Sequence, residues 1–389
     1  METGTFNIVE LRVVRTQEEF SRIRSEWDGL LQKFDPVPLP MTYGWLRSWW
    51  DAFAHDSRME FRCLYRAGTL IGIAPLLRTR ELYRGIPVTI LKLAANGHSP
   101  YSSVMVDPSI EGHERAQMFS ALTQVEATEV GLFFKIPQGG DLRRFLLDRT
   151  RGGYEQVGEK PGLSTPVIHI DNTWDEFYKA RPKKLKRSLK HKLNRFEKNT
   201  DFSISVENVA RPDQPIVEEI VEISASSWKS RIGNDLGSNQ RSRRFLQNLI
   251  ESFGESGALS AWIIRHKKQP VAYELHVTCD GIVYPIRADY DMSFKAYSPG
   301  SILEYTTLKH LFESCSARQY YTCADDYWYL SNWTSDYQEI CTIEIFGNCR
   351  KLRFLYWMEY RLIPVLKRFL RKNSHGLRHA QLIEGKSNQ

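Results

Sequence analysis

The chain has 389 residues, 42% of them hydrophobic and 25% charged, values of a folded protein rather than a disordered one. Its net charge of +7 is uneven: residues 181–198 carry +8 and residues 350–372 carry +7, so everything else sums to −8. That excludes a uniformly basic nucleic-acid coat and leaves an acidic body with two cationic segments.

The length favours two units over one. The start, Met1-Glu2-Thr3-Gly4-Thr5-Phe6, shows neither the basic nor the apolar part of a secretory signal, and no apolar run is long enough to span a bilayer. The expected compartment is the cytoplasm. Apolar residues at helical spacing (Phe20, Ile23, Trp27, Leu30, Leu31) predict one helix over 16–31, and a Trp-rich helix follows over 42–53. Residues 61–66, a turn at Ala67-Gly68 and 70–77 read as a β-hairpin, with a further strand over 88–93. A helix over 111–126, a strand over 130–135 and a short helix over 142–150 come next. The Gly- and Pro-rich stretch 158–162 reads as the turn that closes the first unit.

The second half repeats this plan. A helix over 182–198 leads to a strand over 202–206, then helices over 215–228 and 238–253. Residues 259–265 and 270–278 form a second hairpin, followed by a strand over 282–288, a helix over 300–314 and a strand over 318–323. Each hairpin follows a Trp-bearing helix, with Trp45, Trp49 and Trp50 in one half and Trp228 in the other. Two copies of a mixed α/β unit is the economical reading; one large irregular α/β domain is its alternative.

The six cysteines (Cys63, Cys279, Cys315, Cys323, Cys341, Cys349) form no C-x-x-C pair and have no histidine at zinc-ligand spacing, so no metal site is expected. No phosphate-binding P-loop, serine-hydrolase elbow or zinc-protease motif is present.

An ordered set of short motifs spans roughly residues 30–345. It comprises Trp45-Leu46-x-x-Trp49-Trp50, Gly72-Ile73-Ala74-Pro75-Leu76, Trp228-Lys229 and Pro270-Val271-Ala272-Tyr273-Glu274-Leu275. Asp291, Tyr297-Ser298-Pro299-Gly300, Asp325-Asp326, Tyr329 and Trp333 complete it. The set resembles the FemAB/CelD-like, cellulose-biosynthesis-type branch of the GNAT acyltransferases. The resemblance implies an α/β fold of two tandem GNAT-like units, at 1–165 and 166–348, the second carrying the active site, and a basic helix and tail over 349–389. It also implies transfer of an acyl group from a thioester or aminoacyl donor to an amine. Acyl-CoA is then a co-substrate and no cofactor is permanently bound. Members are tied to exopolysaccharide, peptidoglycan-bridge or sphingolipid-type lipid synthesis. One position departs from the pattern: Leu330 stands where the family has lysine.

Amide formation needs a deprotonated amine, a base, donors for the tetrahedral oxyanion and a cradle for the donor's phosphates. Tyr297-Ser298-Pro299-Gly300-Ser301 precedes a helix, with Ser298 expected as its side-chain cap, Pro299 at its first position and Gly300 leaving the free N–H groups open to a phosphate. On the strand 271–278, Ala272, Glu274, His276 and Thr278 share one face. Glu274 is the candidate base, His276 a relay, and Asp291 a third candidate; a structural network of Glu274 and His276 with Arg287 is the alternative. Trp228, Lys229, Asp325, Asp326, Tyr329 and Trp333 are candidates for substrate binding. His98 and the other scattered histidines read as surface or structural.

The segment 181–198 places Leu185, Leu189, Leu193 and Phe196 in one stripe of an otherwise cationic helix. Residues 350–372 interleave aromatic and basic residues, with Pro364 as a kink. Both segments are candidate contacts with an anionic membrane surface at the inner leaflet. Two alternatives stay open: a Fem-type transferase using charged tRNA, and a non-catalytic scaffold of polysaccharide secretion.

Overall fold

In the computed structural model, which describes residues 9–368 apart from 56, 150–155, 199–200 and 328, β1 (Val9–Val14) opens the chain on the outside of a sheet. Helix α1 (Gln17–Arg22) starts at a capping box formed by Thr16 and Glu19 and ends at Ile23, after which α2 (Arg24–Leu31) begins. The single helix predicted over 16–31 is therefore two, bent so that Phe20 and Trp27 reach the same core. Helix α3 (Tyr43–Phe53) is capped by Thr42. Strands β2 (Arg58–Arg66), β3 (Thr69–Tyr83) and β4 (Ile86–Leu93) form an antiparallel meander whose first turn uses positive φ at Ala67 and Gly68. Then come β5 (Met105–Val106), α4 (Gly112–Leu122), β6 (Glu129–Pro137), α5 (Asp141–Asp148) and β7 (Gln156–His169).

The second half holds α6 (Trp174–Ala180), α7 (Lys183–Glu197), β8 (Phe202–Asn208), α8 (Pro215–Ala225) and α9 (Gln240–Phe253). Strands β9 (Leu259–His266), β10 (Gln269–Cys279) and β11 (Ile282–Tyr290) repeat the meander. Helix α10 (Pro299–Ser314), β12 (Gln319–Tyr321) and β13 (Tyr337–Phe346) follow. Helix α11 (Arg350–Trp357) then runs through a π-turn (Met358–Leu362) into further helix up to 368. This π-turn directly precedes Pro364, whose missing N–H cannot close a regular turn.

All strands belong to one sheet, in the order β1-β2-β3-β4-β6-β13-β7-β12-β11-β10-β9-β8, with β5 on the side of β3. The halves are related strand by strand: in each, four antiparallel strands lead to a parallel partner, β4 with β6 and β11 with β12. The closing strands are exchanged. β13 inserts between β6 and β7, while the end of β7 crosses to pair with β12 at 167–169. The boundary expected at 165 thus falls inside β7.

The turn predicted at 158–162 is instead the middle of this long strand. Its glycines serve close packing: a Cβ at Gly158 would lie 1.9 Å from the Tyr360 ring, and one at Gly162 would lie 2.9 Å from the Ile340 carbonyl. Pro161 falls at a register shift against β13, where its missing N–H costs no ladder bond. The largest apolar cluster runs through both halves, from Trp27, Trp45 and Phe61 to Ile220, Phe245 and Tyr273. Helices α3 and α9 join them: Trp45 and Phe53 each lie 5.3 Å from Phe245, and Ser48 meets Ser252 at 3.1 Å.

Candidate active site

Strands β11 and β12 pair at only two positions, Ile282–Gln319 and Val283–Tyr320, after which β11 runs on to Tyr290 paired with β10 but not with β12. A wedge opens between them. Just there the register of β11 against β10 slips by one residue, leaving Ile286 out of the ladder beside Pro285. At the far end of β11 a short 3-10 turn, Met292–Tyr297, leads into α10, which begins at Pro299.

On β10 the predicted alternation holds. Tyr273, Leu275 and Val277 join the core shared by the two halves, while Glu274 and His276 point to the α10 side. Both are buried. Glu274 accepts a short hydrogen bond from the Tyr320 hydroxyl, and its Oε1 lies 3.1 Å from His276 Nε2. Burial works against its charge, yet the His276 imidazole and the Tyr320 hydroxyl together outweigh it and hold the carboxyl below its ordinary range. Glu304, one turn into α10, is affected oppositely. Burial and the neighbouring Glu274 charge raise its carboxyl to about 8, against smaller opposing effects of Trp333 and the Lys192 ammonium. Two carboxyl groups in one cluster therefore hold different protonation states near neutrality.

The cationic helix α7 reaches this cluster. Leu189 and Phe196 bury the expected stripe, and from the same helix Lys192 Nζ donates to Ser301 Oγ at 2.8 Å. Arg195 donates to the Ala296 carbonyl at 2.7 Å, just ahead of α10. Burial depresses the Lys192 ammonium, and the Glu304 charge partly restores it. Pro299 occupies the first position of α10 as predicted, but Ser298 does not cap it: its backbone is left-handed (φ 56°, ψ 48°) and its side chain makes no capping bond. The turn instead closes through the Ser298 carbonyl, which accepts from Ser301 and Ile302. A side chain at Gly300 would meet nothing within 4 Å, so the space above this terminus is open. Tyr297 packs edge-on against Phe202 at 5.0 Å.

The remaining candidates divide. Asp291 caps its own turn, accepting from the Ser293 N–H and hydroxyl at 2.8 Å each. Asp325 accepts from the backbone N–H of Ser164 and of Asp326, and Asp326 from the Tyr337 hydroxyl. Trp333 is buried beside Trp174 and Phe177. Tyr329 is exposed and stacks on Tyr327 at 5.7 Å; burial of its hydroxyl and the nearby Glu304 raise it to about 12. Leu330 is buried. Trp228 is 49% exposed, while Lys229 Nζ lies 2.7 Å from Asp289 Oδ1.

Asp289 is the hub of a second buried cluster, on the opposite face of β10 and β11. It accepts from Tyr273 at 2.8 Å, Ser224 at 3.0 Å and Arg287 at 3.1 Å. Arg287 therefore pairs with Asp289, across the sheet from Glu274 and His276, so the network that joined it to them does not form. Sequence reasoning missed Asp289, Tyr320, Glu304 and Lys192. Asp289 had a local signal, since it alternates with Arg287 on one strand. The other three come together only through packing of α7, α10 and β12.

Residues 183–329 match the family described as acetyltransferase (GNAT) domain, which covers α7 through the turn after β12. No curated protein sequence matches the chain significantly. Among solved structures, FemX superposes with a TM-score of 0.53 at 12% identity, over 89% of this chain and all of FemX. The C-terminal domain (DUF2156) of a putative lysylphosphatidylglycerol synthetase from Agrobacterium fabrum gives 0.52 at 9% identity, over 86% of this chain and 95% of that one. A conserved protein of unknown function from Bacteroides thetaiotaomicron gives 0.51 at 11%, over 87% of this chain and 100% of that one. The match to a GNAT acetyltransferase domain thus covers the stretch that holds Glu274, Glu304 and Lys192. Over the whole chain, the likeness to FemX and to the synthetase domain, at 12% identity or less, is one of fold.

Proposed function

We propose that the protein is an acyl-CoA-dependent N-acyltransferase whose acceptor is the amine of a long-chain lipid base or of a cell-envelope or exopolysaccharide precursor, met at the cytoplasmic face of the membrane. The observation that carries this reading is the divided carboxyl pair, Glu274 ionised and Glu304 poised near 8, beside the open N-terminus of α10.

The Gly300 N–H at the open start of α10 and the Lys192 ammonium suit the phosphates of CoA. Lys192 takes up, from α7, the charge that the family pattern supplies at position 330. The thioester lies along the wedge between β11 and β12, with backbone N–H at the Ile286 bulge available to the oxyanion. The ammonium of the acceptor loses a proton to Glu304, whose affinity near neutrality fits a general base. The free amine attacks the thioester carbonyl, and the nitrogen of the adduct gives its second proton to solvent. The C–S bond breaks, and amide and CoA thiol leave with the proton held by Glu304 passed to the sulfur. Tyr320 and His276 keep Glu274 charged and fixed, and Glu274 in turn tunes Glu304. Exposed Trp228, Ile232 and Tyr329 offer contact to an acceptor that is partly apolar.

Purified protein with acyl-CoA and a panel of long-chain bases and amino sugars is expected to release CoA thiol only when an amine is present. No release with any amine, together with aminoacyl transfer from charged tRNA, sinks this reading in favour of the Fem-type one. Silence in both assays favours a scaffold.

A further inference from the structure

Helix α11 has one face fixed and one face unexplained. Leu352 and Leu355 are fully buried against Val88, Val130 and Phe346. Tyr360 lies over Gly158 and donates to Glu344 at 2.8 Å. Glu359, the only acid between 350 and 368, is turned inward, 2.6 Å from Arg84 and 3.0 Å from Lys160. The opposite face carries Phe354 and Trp357, 53% and 49% exposed and stacked at 6.3 Å, followed by Val365 and Leu366 at 62% and 50%. Arg350, Arg353, Arg361, Lys367 and Arg368 are exposed along the same stretch. Water gains nothing from this ridge, and the only residue able to neutralise it points the other way.

We propose that this face of α11 is an interfacial surface that rests on an anionic lipid bilayer, with Phe354 and Trp357 at the headgroup boundary and the arginines on lipid phosphates. Aromatic residues flanked by cations, on a helix too short and charged to cross, fit that boundary. Among the described residues no helix is long and apolar enough to span a membrane. A second copy of the chain is a poorer occupant, because a twofold contact sets the same arginines against each other. The inference deepens the reading above, which supplies a reason to be at a membrane, but it stands on residues outside the transferase site.

The test is co-sedimentation of the full chain with vesicles of phosphatidylcholine alone or mixed with phosphatidylglycerol. Binding is expected to the mixed vesicles only, and to weaken with salt. Arg353→Gln with Arg361→Gln is expected to weaken it roughly 25-fold, about fivefold for each lost cation. Phe354→Ser with Trp357→Ser is expected to abolish it while leaving thermal unfolding unchanged, since both side chains are exposed. Trp357→Phe keeps binding but reduces quenching of protein fluorescence by brominated lipid. Equal binding to neutral vesicles, no binding, or full binding by the Ser pair overturns the proposal; so does a dimer that the Ser pair dissociates in the absence of vesicle binding. Acyl transfer to a water-soluble amine is measured alongside. Its failure, together with failure on every long-chain base and amino sugar of the panel, with vesicle binding intact, removes the transferase reading and leaves this one standing.

Discussion

The two halves share a strand plan and diverge in what they do with buried charge. In the C-terminal half, β11 leads through one 3-10 turn into α10, and the charge of Glu274 acts on the carboxyl of Glu304. In the N-terminal half, β4 is followed by a detour through β5 before α4, and the carboxylates there are neutralised. Glu60 is paired with Arg62 at 2.8 Å and also with Arg78, while Arg78 holds Glu129 at 2.7 Å. Lys135, buried in left-handed backbone at the end of β6, donates to the Ser99 carbonyl at 2.7 Å and ties down the loop after β4. Beside its neutralised Asp289 network the C-terminal copy keeps one carboxyl pair incompletely compensated, as chemistry requires; in the N-terminal copy these carboxylates serve structure.

The sharpest way to break this contrast is to remove one carboxylate from each copy. Glu304→Gln and Glu274→Gln are each expected to lower kcat for acyl transfer by about 10²–10³-fold with little loss of stability. Glu129→Gln is expected to leave kcat within about twofold but to cost roughly 2–3 kcal/mol in denaturant unfolding, because Arg78 loses a buried partner. If Glu129→Gln abolishes turnover and Glu304→Gln does not, the roles are reversed. Next in size is the pH profile. Glu304 acts only after losing its proton, so kcat/KM should rise through about pH 8 and flatten in Glu304→Gln. The same group is protonated in the folded protein up to about 8 and releases its proton far lower when unfolded. Its contribution to stability therefore falls as pH rises across that interval. Lys192→Met is expected to raise the KM for acyl-CoA about tenfold while kcat changes little. A smaller effect tests the frame itself: Gly158→Ala should displace Tyr360 and cost about 1–3 kcal/mol. Glu359, held down to about 2 chiefly by Arg84 and then Lys160, stabilises the docked α11 above the ordinary glutamate range and loses that effect as pH falls toward 2.

What could be read from the sequence was what is local. The alternation of β10 set Glu274 and His276 on one face, and Pro299 marked the start of α10, because both signals span a few residues. Asp291 had a local reading too: a side chain bonding two residues ahead to Ser293 is a turn signature, stronger than its family position suggested. Gly158 to Gly162 misled for the opposite reason. Glycine and proline usually interrupt strands, but here Tyr360 and Ile340, about 200 residues away, demand them. Strand β13 was invisible as a partner of β6 and β7, since nothing in either segment names the other. Lys192, Ser301 and Glu304 lie on two helices whose crossing is set by their apolar stripes, so their meeting is a tertiary fact.

The exchange of β13 also has a consequence for biogenesis. The strand that completes the middle of the sheet lies 200 residues beyond the one it pairs with, β6. While the ribosome is still adding residues 170–336, β6 and β7 have emerged with their central neighbour missing, and two open edges must be kept from pairing with other chains. The N-terminal half should therefore stay incomplete until the C-terminal half is nearly made. A chain ended before residue 337 is expected to aggregate rather than yield a free first unit.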